Sequence, residues 1–401
     1  MISSSLLIIL ISLFLSLKLS PIYRVFPFIT SLSGVYYAVL GPLYWLNVHN
    51  GYFAGINWSS EIPFNSLIFA SFIALLNTSY VLICVSKSHK DVVCFDNIYP
   101  VKKLNFKFYA LGVLCCAYVY VNKDLRSSFF LISYQVSDLL LVALFYLLIL
   151  DHKKLFLISL VLFVFYCAFV GFRYKLIILF LPLLVHQFLT MKGGGRYFYL
   201  GLYSSVLLAF FSIITLTRVK FSGLDIAQLG NSGFEDVLYG FLSDSNIIFG
   251  IISINTFVVA NSYFVYAQPL FDVVIDFIPR FIYPDKDVGK QIYLVLEGLR
   301  SHQGRNSATT YPFFGEYLMM GGYYFAIPMT IFLGFIVSFF TRFFTCVDNV
   351  AIRNVGVGLV AVLFGYYYIS RGYTPQFMKS IIFVLVPFIY LTVLGCKRKD
   401  V

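Results

Sequence analysis

The residues best suited to chemistry gather in one stretch, residues 276–322, DFIPRFIYPDKDVGKQIYLVLEGLRSHQGRNSATTYPFFGEYLMMGG. Arg280, Lys286, Lys290, Arg300, His302 and Arg305 follow one another there, and Glu316 stands at the mouth of the next apolar run. A guanidinium keeps its charge at any physiological pH and offers a planar fork of donors to phosphate oxygens. His302 lies between Arg300 and Arg305, and neighbouring cations disfavour its charged form. A neutral imidazole can take a proton from an attacking hydroxyl, so His302 is the best candidate base. Glu316 either orients an arginine or serves as the alternative base. The combination describes one half of an active site for an anionic substrate. With seven cysteines and five histidines the chain has no C-x-x-C and no H-x-x-x-H, so neither a metal site nor a disulfide framework is expected. No G-x-x-x-x-G-K-[ST] and no G-x-S-x-G is present, and no cofactor is expected.

Other cations come from elsewhere in the sequence. Arg173 and Lys175 lie in the turn GFRYK, and Arg371 lies between two late apolar runs. Each is expected at a helix end on the membrane face that also carries Arg280 and Arg305. Such a set suits a diphosphate or another acidic headgroup. The plainer alternative is interfacial arginines reaching lipid phosphates. Charges beside membrane spans are costly and commonly functional, which favours the ligand reading for Arg173, Arg280 and Arg371 as a set. Asp276, four residues before Arg280, is placed to pair with it on one helix face.

The elements that position these groups follow from hydropathy. Of 401 residues, 60% are hydrophobic and 12% charged, against about 25% charged in soluble domains. Apolar runs fall at 2–17, 25–46, 63–85, 106–121, 137–150, 155–170, 176–190, 197–215, 313–340, 355–369 and 380–395. The expected fold is an all-α polytopic integral membrane protein of about eleven transmembrane helices. It forms a single membrane domain over 1–401, with one large periplasmic loop, 216–312, containing short amphipathic helices. The segment SYFVYAQPLFDVVIDFIPRF reads as one of these helices, stopped at Pro279. The run 2–17 lacks a basic n-region and a cleavage pattern, so it is expected to be a first span.

Lys18, Arg24, Lys87, Lys90, Lys102, Lys103, Lys107, Lys153, Lys154, Lys192, Arg196, Arg342, Arg353 and the terminal Lys397, Arg398 and Lys399 fall on one side when the spans alternate. That side is the cytoplasm, and the N-terminus faces out. The net charge of +11 therefore implies no nucleic-acid partner.

The ladder of spans, the G-F-R at 171–173, and a late outer loop carrying IPRFIYPDK, a histidine and arginine, and then TTYPFFGEYLMMGG resemble the O-antigen polymerases of the Wzy type. The resemblance in architecture covers nearly all of the chain, and the motif about a tenth of it. It implies a metal-independent glycosyltransferase in the bacterial inner membrane with its site facing the periplasm. Its substrate would be an undecaprenyl-diphosphate-linked oligosaccharide in the surrounding membrane lipids. Arg173, Lys175, Arg280, Arg305 and Arg371 would bind the diphosphate, with His302 and Glu316 as catalytic candidates. A chain-length regulator and a flippase are the expected partners. An O-antigen ligase shares the architecture. A flippase or transporter of the same lipid-linked oligosaccharide would instead show related halves and ionisable residues deep in its spans.

Overall fold

The structure, a computed structural model, describes residues 1–53, 55–86, 106–122, 128–170, 173–191, 193, 195, 198, 201–205, 218–219, 223–224, 242, 245–278, 282–283, 295 and 310–394. Arg280, His302 and Arg305, most of 216–312 and most of the expected span 197–215 lie outside these residues.

Among the described residues the chain is helical apart from turns and two short hairpins, Tyr52–Phe53 with Ile56–Asn57 and Arg218–Val219 with Gly223–Leu224. An apolar chain without water must bond its own amides and carbonyls, and a helix does so within one segment. Among the described residues six helices are long and apolar enough to cross a membrane: Val25–His49, Glu61–Ser86, Ile132–Ile149, Phe313–Thr345, Val350–Ser370 and Thr374–Thr392. Ile2–Ser16, Lys107–Val121, Tyr174–Thr190 and Ile247–Val259 are apolar but shorter. The protein is thus an all-α chain with several candidate membrane spans.

The chain packs as two compact units. The first comprises Met1–Lys90, Leu242–Phe340 and Leu363–Met378; the second comprises Asp91–Phe241, Thr341–Val362 and Lys379–Val401.

In the first unit, polar side chains tie apolar helices together. Asn77 donates to the hydroxyl oxygens of Ser12 and Ser31 at 3.2 and 3.0 Å, clamping Glu61–Ser86 to both N-terminal helices. Ser33 donates to the Gly365 carbonyl at 2.9 Å. Lipid tails are as apolar as leucine, so small residues and interhelical hydrogen bonds carry such contacts. Gly334 shows how close the approach is: a β-carbon there would fall 2.1 Å from Ser79 Oγ.

The Phe313–Thr345 run is two helices. Gly321 (φ −174°, ψ 31°) and Gly322 (φ 64°, ψ −158°) interrupt it, and the left-handed φ at Gly322 is one that glycine adopts without a steric penalty. Residues 323–345 alone reach about 34 Å at 1.5 Å per residue, enough for a hydrocarbon core of about 30 Å. Tyr324, 96% exposed, begins an outward stripe continued by Ile327, Phe332, Phe335 and Phe339. Glu316 therefore belongs to a short helix ahead of this membrane-length segment rather than to the segment itself.

In the second unit, Asp138–Ile149 is buried from Asp138 to Leu147. Glycines again set the spacing: Gly358 lies against Pro182, Gly356 against Phe344 and Gly112 against Leu140. Val347 and Ile352 close the core with Ile149, Phe343 and Ile389.

Candidate functional site

The first unit contains a polar seam where two helix interruptions meet. The extended residues Thr310–Pro312 lead into the short helix that carries Glu316, and Arg371–Tyr373 separate the Val350–Ser370 helix from the helix beginning at Thr374. The Gly372 amide donates to the Tyr311 carbonyl at 2.7 Å. A β-carbon on Gly372 would fall 2.3 Å from the Pro312 carbonyl group, so only glycine allows this approach. On the other side Gly250 lies equally close to the Thr310 carbonyl oxygen, at 2.4 Å from a would-be β-carbon.

Glu316 is fully buried, and its Oε2 accepts from the Thr374 amide at 3.0 Å and from the Thr374 hydroxyl. It thus caps, from another part of the chain, an amide that the first turn of a helix leaves unbonded, and its charge opposes the positive end of the helix dipole. The hydroxyls run on from there. Because Thr374 gives its proton to the carboxylate, Tyr368 donates to Thr374 Oγ1 at 2.8 Å, and Tyr317 in turn donates to Tyr368 at 3.2 Å. Arg371, half-buried, follows the C-terminal end of the preceding helix, where a cation complements the dipole. The structure therefore brings Glu316 and Arg371 to one seam, at opposite sides of one chain break.

Two further groups at this seam carry no signal that reading the sequence for cations could find. Tyr311 is only 3% exposed, and its hydroxyl has no hydrogen-bond partner among the described residues. Burial, with Glu316, Tyr373 and Asp272 near by, pushes that hydroxyl well above the ordinary tyrosine range. Asp272 is fully buried on the helix Gln268–Phe277, and Gln268 Nε2 donates to its Oδ1 at 2.8 Å. This helix is the helical part of the amphipathic segment expected at 262–281: Ser262–Ala267 ahead of it are non-helical, and Ile278 ends it in an extended conformation. Leu270, Phe271, Val274 and Phe277 are its exposed face, while Asp272 turns inward. The signal available in the sequence was that pattern: a charge opposite an apolar stripe at helical spacing.

Lys175 sits in the second unit, and its surroundings are those of a structural cation. Its Nζ lies 2.6 Å from Asp138 Oδ1, donates to the Tyr134 carbonyl and the Ser137 hydroxyl at 2.9 Å each, and stands 4.0 Å from the centre of the Tyr134 ring. The side chain is almost wholly enclosed, so in this arrangement its charge is spent on Asp138 rather than presented outward. Arg173 opens the same helix, Arg173–Thr190, two residues earlier. The remaining sequence candidates, Arg280, His302 and Arg305, lie outside the described residues. No group of three or more histidine, cysteine or acidic side chains suited to a metal occurs among the described residues.

Comparison with protein-family models, with curated proteins and with solved structures finds no match to this chain.

Proposed function

We propose that the chain is a membrane glycosyltransferase that polymerises undecaprenyl-diphosphate-linked O-antigen repeat units on the periplasmic face of the bacterial inner membrane. The observation that carries the reading is the 276–322 stretch, whose arginines, histidine and G-E-Y…G-G block lie beside the spans in the order seen in that family. In this reading about eleven spans place Arg173, Arg280 and Arg371 on the periplasmic side. The bond from the anomeric carbon of the growing chain to its lipid diphosphate breaks. A hydroxyl on the terminal sugar of the next unit forms the new glycosidic bond. The proton of that hydroxyl goes to His302, and undecaprenyl diphosphate leaves. Arg173, Arg280 and Arg371, assisted by Arg305, stabilise the charge that develops on the leaving group. Fixed guanidinium charges already in place need no reorganisation as that charge grows.

The seam refines two roles. Glu316 holds the Thr374 helix end, and with it the backbone that carries Arg371, so it positions rather than accepts a proton. Lys175 leaves the diphosphate set and joins Asp138 in holding the second unit together.

The direct test uses purified protein in liposomes with lipid-linked repeat units and a chelator. Products longer by whole repeats, with release of undecaprenyl diphosphate, are expected. Unextended substrate would contradict the proposal, and transfer to lipid A core alone would identify a ligase. A transporter for the same lipid-linked sugars is the second reading; under it the buried Lys175–Asp138 pair would line a transport path instead of holding the second unit together.

A further inference from the structure

The mechanism above leaves Tyr311 and Asp272 without a task. Both are enclosed at the seam with Glu316, yet the Tyr311 hydroxyl bonds to nothing among the described residues. A buried hydroxyl without a partner is unfavourable, and one that persists calls for a reason such as a missing ligand. The chemistry of the group limits what that ligand is. Carboxylate oxygens accept readily from sugar hydroxyls, and a phenol can both donate and accept. The location agrees. Asp272 is on the inner side of a helix whose outer side, Leu270, Phe271, Val274 and Phe277, is apolar and exposed. Such a helix lies in a membrane interface with its apolar face down, where lipid-linked sugars are found. The neighbouring Gln268 and Tyr373 are half-buried, so the group is one side chain from the surface.

We propose that Tyr311 and Asp272, with Glu316 behind them, form the acceptor subsite. They bind the terminal sugar of the incoming repeat unit through its hydroxyls. The inference rests on the polymerase reading and adds to it the residues that recognise the acceptor sugar. Tyr311 and Asp272 orient the sugar, and proton removal stays with His302.

The test measures binding of two probes to the full-length protein in nanodiscs. One is the repeat-unit oligosaccharide freed from its lipid by mild acid; the other is undecaprenyl diphosphate without sugar. Tyr311→Phe and Asp272→Asn are expected to weaken oligosaccharide binding by about tenfold or more and to leave undecaprenyl diphosphate binding within about twofold, as loss of a hydrogen bond to a substrate hydroxyl requires. Tyr311→Phe removes a hydroxyl that bonds to nothing among the described residues, so it is expected to unfold no earlier than the wild type. Oligosaccharide binding unchanged in both variants would overturn the subsite. So would equal loss of both probes, or a Tyr311→Phe protein less stable than the wild type. Wild-type protein that binds neither probe would overturn the polymerase reading itself, a result distinct from these.

Discussion

Glu316 shows how a single residue can be found in a sequence while its partner stays hidden. Its position beside an apolar run marks it as costly and therefore used, but the sequence offers arginines as partners and gives no hint of Thr374, 58 residues away. Replacing Glu316 by alanine leaves the half-buried Thr374 amide without its acceptor and the Thr374 hydroxyl with Tyr368 alone, at a cost of about 1–3 kcal/mol. Thermal unfolding in detergent should show that loss, and a smaller one for Glu316→Gln, which keeps an acceptor. Polymer length should survive Glu316→Gln if the residue positions, and vanish if it is the base. Tyr311 allows a prediction in pH. The folded protein keeps the Tyr311 proton at a pH where an unfolded chain gives it up, so above pH ~10 the unfolded state binds fewer protons and stability falls. Tyr311→Phe should lose less stability than the wild type between about pH 9 and 11. An equal loss in both proteins would mean that Tyr311 titrates freely.

At the scale of elements, the sequence was most legible where hydropathy alone decides. The expected spans other than 197–215 coincide with helices, because an apolar run in a non-aqueous setting has few other ways to satisfy its backbone. The amphipathic helix before Pro279 was legible for the same reason, from its spacing. The breaks were not. The GG at 321–322 reads equally well as a packing motif, and only backbone geometry separates the Glu316 helix from the membrane-length segment behind it. The enclosure of Lys175 was hidden by the same gap. GFRYK looks like a charged turn, while its partner Asp138 lies in another helix, and pairing across elements is invisible to spacing along one. The pair gives the element-scale prediction. Lys175→Ala strands a buried carboxylate and should destabilise the protein by about 3–5 kcal/mol, whereas Lys175→Met with Asp138→Leu should recover most of that stability. Recovered stability with long chains intact would give the pair a purely structural role. A stable double variant that makes no polymer would return Lys175 to the substrate.

For the whole molecule, the composition made a multi-span helical protein the only tenable class, and the structure agrees with six membrane-length helices among the described residues. Division into two compact units was not legible, since a single apolar ladder runs across both and no change in composition marks where one gives way to the other. Function is legible only through the order of charged residues in the 276–322 stretch, and the polymerase reading stands or falls there. The most direct measurement is a lipopolysaccharide ladder from a strain with this gene deleted. The polymerase reading predicts a single band of core plus one repeat, because units are still made, flipped and ligated while elongation stops. Core alone would point instead to the ligase or the transporter, and an unchanged ladder would contradict a role in O-antigen assembly.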